Sequence, residues 1–391
     1  MNIAVQAIRI LVGVLFILSG LVKANDPLGL TYKMQEFFEV WNGDLAASGF
    51  FLKDALISFF HFLHAHSLAL SVLMIALEIM AGVALLIGWQ KKAVLTLLLA
   101  LIIFFTFLTG YAYASGKFKN CGCFGDCLPI TPLASFLKDV ALLLAILFLF
   151  FARQYIRPLA SRKMQWSVLT VSLLFSFGFQ WYVLNYLPVV DCLPFKQGAN
   201  IAEGMKIPPT AVPDSFAIRF VYQKEGKQYE FSPEGLPADL DTYQFVERQD
   251  KLVRKGNAEP AIKGFALSGP SNEDSTQVVL TQPYAVLYFH EGKGAISESD
   301  KANFQAVYQQ AFQQCQIPVY VITTALENAI QQFDASTLPG AAFFKVDYTA
   351  FRTAARTNPC IYLLQQGTVV DKWSGKESGE AIASIKAIAK P

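Results

Sequence analysis

The distribution of apolar positions changes character near residue 190. Before it, apolar runs of membrane-crossing length recur. After it, apolar and polar positions alternate over short stretches. The first run, Ile3 to Val22, is interrupted only by Gln6, Arg9 and Ser19. Leu68 to Trp89, Ala93 to Ala114, Leu133 to Phe151 and Ser167 to Leu187 follow. Each has roughly 19 or more residues, the length a helix needs to cross a bilayer. Five membrane helices are expected. A cleavable signal peptide is a poor account of the first run, because Arg9 lies inside it, it is long enough to span, and more spans follow.

Between the first two spans, Asp26 to Ser67 is amphipathic. Met34, Phe37, Phe38 and Trp41 recur at helical spacing, as do Phe59, Phe60 and Phe62. Two short helices lying at the membrane interface are expected, parted by Gly43 and Gly49. After the last span, Asp191-Cys192-Leu193-Pro194 and the prolines at 208, 209 and 213 mark a linker over 191–213. Phe216 to Tyr222 and Gln228 to Phe231 flank a Lys-Glu-Gly-Lys turn, a hairpin signal that opens a β-rich segment over 214–270. An alternating α/β pattern then fills 271–391. Strands are expected at Ala285–Phe289, Pro318–Ile322, Ala341–Val346, Cys360–Leu364 and Thr368–Trp373. Helices are expected at Lys301–Cys315, Thr324–Phe333, Tyr348–Arg356 and Glu377–Ile388.

Composition sharpens this division. The 391 residues are 53% hydrophobic and 16% charged, with mean hydropathy +0.37, too apolar for a soluble enzyme of this size. The lipid bilayer is therefore one partner. A net charge of +2 gives no argument for nucleic acid. Lys91 and Lys92 follow the second span, and Arg153, Arg157, Arg162 and Lys163 follow the fourth. These basic loops are expected in the cytoplasm, with the N-terminus. The amphipathic segment, the loop after the third span and everything beyond Leu187 then face the periplasm of a bacterial inner membrane.

Three of the six cysteines lie in that periplasmic loop, Cys121-Gly-Cys123-Phe-Gly-Asp-Cys127. A disulfide between Cys121 and Cys123 closes a small strained ring, and strain makes such a bond an oxidant. Cys127 is near enough to resolve it. Lys117, Lys119 and Lys138 are close in sequence and would favour a thiolate. A structural bond and a metal clip are the alternatives, the latter lacking a fourth ligand. Cys127 and Cys192 both sit just outside the membrane and are expected to bond. Cys360 and Cys315 are read as core residues, although Cys360 would border any site at the strand start. Glu78, inside the second span, needs a partner, with Arg9 or Lys23 as candidates. Lys138 and Asp139 open the fourth span, where Lys138 could stabilise a thiolate or an anionic quinone. His61, His64 and His66 read as interfacial residues rather than metal ligands.

Two resemblances bear on function. Arg9, Gly13, Ser19, Gly20 and Lys23, then Glu78 and Gly82, the Cys121-Gly-Cys-Phe-Gly-Asp loop, and Phe136, Lys138 and Asp139 resemble DoxX-like and MauE-like membrane proteins over roughly residues 1–155. This implies a four-helix bundle, here with a fifth membrane helix over 156–190, similar in plan to vitamin K epoxide reductase and DsbB-type bundles. It also implies disulfide formation in a periplasmic protein partner, together with a thioredoxin-like companion. Residues from Asp274 onward resemble a thioredoxin-fold domain of the TlpA or peroxiredoxin-like kind. Asn358-Pro359 stands where that fold carries its cis-proline. Where it carries Cys-x-x-Cys, this chain has His290-Glu-Gly-Lys-Gly, so ordinary dithiol exchange is not expected of the domain. Two readings follow: a thiol–disulfide oxidoreductase exchanging electrons at Cys121 and Cys123, with a quinone as possible acceptor, or a membrane scaffold whose cysteines are structural and whose outer domain recruits partners. A transporter is a third, hardly supported by Glu78 alone.

Overall fold

The computed structural model describes residues 2–118, 127, 130–212, 215–237, 239–254, 256 and 258–388. All five expected spans are helices: α1 (Asn2–Asn25), α4 (Ser67–Ile87), α5 (Lys91–Ser115), α6 (Pro132–Phe151) and α7 (Arg162–Asn185). Two shorter helices, α2 (Pro27–Ala46) and α3 (Lys53–Ala65), fill the amphipathic segment. Local chemistry sets several ends. Asp26 caps α2, and its side chain accepts from the Gly29 amide with Pro27 in the first turn. Thr131 and Ser161 cap α6 and α7 in the same way. Gly88, in the left-handed region at φ 72°, ends α4.

Small residues bring α1 and α4 together. A Cβ on Gly82 would meet the Gly13 carbonyl at 2.8 Å, and one on Gly20 would meet the Ile79 side chain at 2.5 Å. Without a hydrophobic drive between helices in lipid, such close backbone approach supplies the packing. It also aligns Ser19 and Lys23 of α1 with Glu78 of α4.

Beyond the bundle, β1 (Ser215–Lys224), β2 (Lys227–Phe231) and β3 (Gln244–Arg254) form an antiparallel sheet in the order β2-β1-β3. The rest is a thioredoxin-like α/β unit. Its strands are β4 (Ala285–Phe289), β5 (Val319–Thr323), β6 (Ala341–Lys345), β7 (Cys360–Gln365) and β8 (Thr368–Ser374). They lie in the order β6-β5-β4-β7-β8, with β5 parallel to β4 and β7 antiparallel to it. Helices α8 (Ile201–Gly204), α9 (Thr276–Leu280), α10 (Glu298–Tyr308), α11 (Leu326–Gln332), α12 (Tyr348–Ala354) and α13 (Ser378–Ile388) complete it. Alternation along β4 serves both faces: Leu287 and Phe289 pack with Phe195, Phe265 and Tyr362, while Val286 and Tyr288 pack with Phe304, Tyr308 and Trp373.

Three expectations need adjustment. Gly43 lies within α2 rather than between the two interfacial helices, which part over residues 47–52. The helix expected at Lys301–Cys315 begins at Glu298, capped by Ser297, and widens to a π-helix over Gln309–Gln314. Part of the stretch expected as linker is built into the sheet. Phe195 and Ile201 are core residues, and the backbone of 198–201 bonds that of Gly367 and Val369 beside β8. The prolines drew attention to a linker, but the apolar residues before them have a surface to cover.

Gly82→Val is expected to force α1 and α4 apart and destabilise the bundle by about 1–3 kcal/mol. Thermal unfolding in detergent measures this, and an unchanged melting temperature would contradict the close approach.

Candidate functional site

The membrane half holds one polar cluster drawn from four helices. Lys23 Nζ lies 2.5 Å from Glu78 Oε1, and these side chains are 3% and 1% exposed. Ser19 Oγ accepts from Lys23 at 3.2 Å and donates to Glu78 at 3.4 Å. On α6, Lys138 Nζ lies 2.6 Å from Asp139 Oδ1, and Thr109 of α5 donates to Asp139 Oδ2 at 3.1 Å. Lys23 also stands 4.6 Å above the Phe105 ring. The two ion pairs border one gap of about 30 Å³, otherwise walled by Leu15, Phe16, Ile102, Phe105 and Leu142. That gap has room for about two water molecules. A quinone ring needs far more, since pockets for such ligands run to roughly 300 Å³ and above. The gap therefore does not fit a quinone.

Sequence reasoning named Lys23, Glu78, Lys138 and Asp139 separately, and the fold brings all four together. Arg9 is a different matter. It does not reach Glu78, being 14 residues and about four turns from Lys23 along the same helix. Instead its guanidinium donates to the carbonyls of Leu85 at 2.9 Å, Leu86 at 2.6 Å and Arg157 at 3.0 Å. It closes the last turn of α4 at the basic end of the bundle, where carbonyls lack helical partners. Ser19 and Thr109 complete the cluster. The spacing of Ser19 four residues before Lys23 was the available sign for the first, and nothing local marks the second.

At the opposite end, Cys127 and Cys192 are disulfide-bonded. The bond ties the loop between α5 and α6 to the residue pair just past α7. Cys121 and Cys123 lie outside the described residues. Asn25 grips the same junction, donating to the Val190 carbonyl at 2.8 Å and accepting from its amide at 2.9 Å. Asp191 pairs with Lys372 of β8 at 2.5 Å. A second contact joins α2 to the end of α12. Nε and Nη2 of Arg356 both lie 2.9 Å from Oδ2 of Asp26, and the Arg352 guanidinium stacks 3.6 Å over the Tyr32 ring. Burial pushes the Tyr32 phenol up, against the pull of Arg356 and Arg352. These residues were not singled out from sequence. The i,i+4 spacing of the two arginines beside a Pro-containing strand start was the available sign.

The thioredoxin-like site is closed by structure. The Asn358-Pro359 bond is cis, as the resemblance implied. The loop after β4 is held from three sides. Thr323 and Thr324 donate to the Glu291 carbonyl at 3.1 and 2.9 Å, and Asn358 accepts from the Glu291 amide at 3.0 Å. Asn328 and Gln332 of α11 donate to the Gly294 carbonyl at 2.8 and 2.7 Å. Gly292 turns there at φ 74°, and a Cβ would strike the Thr323 hydroxyl. His290 is buried, accepting from the Gly292 amide at 3.1 Å. Burial lowers its pKa, partly offset by Asp300 at 3.7 Å. Cys360 is fully buried, and burial pushes its thiol up to about 12. Cys315 caps the π-helix that follows α10, its sulfur 3.9 Å from the Ile385 carbonyl. Among the histidines, His64 meets Glu39 and His66 meets the Phe62 carbonyl, and no group of metal-holding side chains occurs among the described residues.

Comparison with known proteins finds matches to separate parts of the chain. Residues 1–152 match the family model of methylamine utilisation protein MauE, bearing out the resemblance of the membrane bundle. Residues 216–255, the three-stranded sheet, match a family described only as a domain of unknown function. Protein TlpB of Flavobacterium psychrophilum is 24% identical over 155 residues, 37% of this chain. The chain spans 35% of the length of that relative. Among solved structures, Xanthomonas campestris peroxiredoxin Q shares 15% identity at TM-score 0.26, covering 33% of this chain and 94% of that one. Arabidopsis thaliana ScoI with copper bound shares 10% identity at TM-score 0.24, covering 32% and 96%. The thioredoxin-like reading of the domain stands on its strand order. The chain is thus a multi-pass membrane protein related to MauE and TlpB, with a thioredoxin-like domain.

Cys360 is expected to resist iodoacetamide at pH 8 in the folded protein and to react once the protein is denatured. Its thiol is neutral in the fold, so its contribution to stability is complete below about pH 9 and is lost as pH climbs toward about 12. Rapid labelling without unfolding would contradict the buried, neutral thiol.

Proposed function

We propose that this chain is a thiol–disulfide exchange protein of the bacterial inner membrane. In this reading the Cys121-Gly-Cys123 loop does the exchange, and the thioredoxin-like domain holds a periplasmic protein partner without redox chemistry of its own. The supporting observation is the Cys127–Cys192 disulfide at one end of the bundle. Cys123 is four residues before Cys127 in the chain. A bond of this kind persists in an oxidising compartment. The basic residues Lys91, Lys92, Arg153 and Arg157 lie at the other end, the arrangement expected of a cytoplasmic face.

The exchange balances without a further reactant. A thiolate of the partner attacks one sulfur of the Cys121–Cys123 disulfide, and the other sulfur leaves as thiolate. The second partner thiol then attacks the mixed disulfide and frees the first sulfur. The partner ends with a disulfide and the loop with two thiols. Cys127, bonded to Cys192 in this structure, anchors the loop rather than standing free beside it. The loop after β4 has no thiol and is tied down, which favours a binding role for the outer domain.

The second reading, a scaffold with structural cysteines, is favoured by the same Cys127–Cys192 bond, which joins positions 65 residues apart in the chain. The two separate by titration. Full-length protein is equilibrated across glutathione buffers, the free thiols are alkylated, and the modified residues are read by mass spectrometry. Cys121 and Cys123 are expected to switch together near the potential of the compartment, while Cys127 and Cys192 stay joined. Cys121→Ser is expected to abolish oxidation of a dithiol peptide of Cys-x-x-Cys type. A loop that never pairs at any potential, or a Cys121→Ser protein that still oxidises the peptide, leaves only the scaffold.

A further inference from the structure

Where α2 meets α12, residues of both helices wall a cavity of about 280 Å³. We propose that it binds the headgroup of a zwitterionic phospholipid, with the phosphate on Arg352 and the ammonium against Glu39. Nothing in this site depends on Cys121 or Cys123, so its failure leaves the exchange reading untouched.

Charge is sorted within the cavity. Asp26 pairs with Arg356 at 2.9 Å, and Glu36 pairs with Lys33 at 2.6 Å. Arg352 has no carboxylate in ion-pairing reach among the described residues. Its guanidinium donates from Nη2 to Gln35 Oε1 and stands 3.6 Å from the centre of the Tyr32 ring and 4.7 Å from that of Tyr348. Its Nε is buried and finds no acceptor among the described residues. A buried donor left unmade is costly, and the planar edge of a guanidinium suits two oxygens of a phosphate. Glu39 has the opposite sign and the opposite place. It meets only the His64 ring among the described residues, at 3.3 Å, and that ring is charged only when protonated. Arg352 is half-buried, whereas the Glu39 side chain is 67% exposed. The uncompensated cation is therefore inside and the carboxylate at the mouth.

A simple anion answers Arg352 but meets the Glu39 carboxylate on the way in. A phosphate that carries an ammonium answers both. Gln35, which Arg352 bonds, and Glu39 are four residues apart on α2. That is about 6 Å along the helix axis, a span for a phosphate and an ammonium joined by two carbons. The cavity is a little smaller than the roughly 300 Å³ at which pockets for drug-sized ligands begin, so it takes a headgroup and leaves the chains outside. The surroundings suit such chains. Helix α2 starts where the span α1 ends, and α3 beside it has no buried residue. Phe51, Phe59 and Phe62 are 83%, 51% and 58% exposed. Aromatic side chains so placed on an amphipathic helix enter the boundary between headgroups and acyl chains. The cavity that α2 walls then lies at the level of the headgroups.

Thermal melting of the full-length protein in detergent tests the site. The probes are dihexanoylphosphatidylethanolamine, the phosphatidylglycerol with the same chains, and glycerophosphoethanolamine, which is the headgroup without chains. The ethanolamine lipid is expected to raise the melting temperature by about 5 °C at saturation. The other two probes are expected to raise it distinctly less. Arg352→Met is expected to remove the shift with both lipids. Glu39→Gln is expected to keep a shift and lose the preference for the ethanolamine lipid. Its side chain is exposed, so it carries the test alone if Arg352→Met does not fold. Equal shifts from the two lipids in wild type, a preference unchanged in Glu39→Gln, or a wild-type shift in folded Arg352→Met overturns the proposal. A chainless headgroup as effective as its lipid overturns the bilayer as the source of the ligand. A melting temperature that none of the three probes moves overturns the site itself.

Discussion

A carboxylate at the middle of a membrane helix must find a partner, and the arrangement of the bundle follows from how Glu78 finds one. An unpaired charge at that depth costs on the order of 3 kcal/mol by insertion measurements. Lys23 answers it from the far end of α1, its ammonium standing over the Phe105 ring. For the two to meet, α1 and α4 must approach at backbone distance, which Gly13, Gly20 and Gly82 allow. Removing one partner of such a pair leaves a buried charge and costs about 3–5 kcal/mol, so the pair fixes the register of the two helices. Arg9 fixes the same two helices at the other end by closing the last turn of α4.

The outer domain is tied to this frame rather than hung from it. Asn25 and Asp26, the residues that end α1 and cap α2, make both attachments: Asn25 to the exit of α7 at Val190, and Asp26 to Arg356 beside the cis-proline. One break between two helices thus serves as hinge pin for the bundle and as docking point for the domain. The Cys127–Cys192 bond reaches the same junction from the loop before α6. Three elements of the bundle therefore converge on residues 190–192, and Lys372 continues the connection into the sheet.

Much of this was legible in the sequence where a single periodicity decides the outcome. The five spans and the strands of the α/β unit emerge from run length and alternation, because burial on one or both faces selects them directly. Glu78, Lys138 and Asp139 stood out because ionisable groups are rare within spans. What alternation cannot supply is which charge meets which. Arg9 and Lys23 sit on the same helix and look equivalent as partners for Glu78, yet the turn count puts only one of them at its level. The docking of Arg356 on Asp26 joins residues 330 apart, and no local pattern carries that information. Residues 191–204 read as linker because prolines flank them, whereas Phe195 and Ile201 are claimed by a core assembled from distant strands.

The closed loop after β4 bears on why a thioredoxin-like domain is kept without its thiols. In place of a reactive helix start, Thr323, Thr324, Asn328, Gln332 and Asn358 all bond the backbone of residues 291–294. Five side chains from three elements fix a segment that carries no cysteine. A segment merely released from function has no need of such fixing. Polar networks of this kind rigidify a shape, at the expense of desolvating every member. The rigid part is the cis-proline end, whose neighbour Arg356 grips α2. The bonds therefore fix the end of the domain that also meets the start of α2 through Arg356 and Asp26.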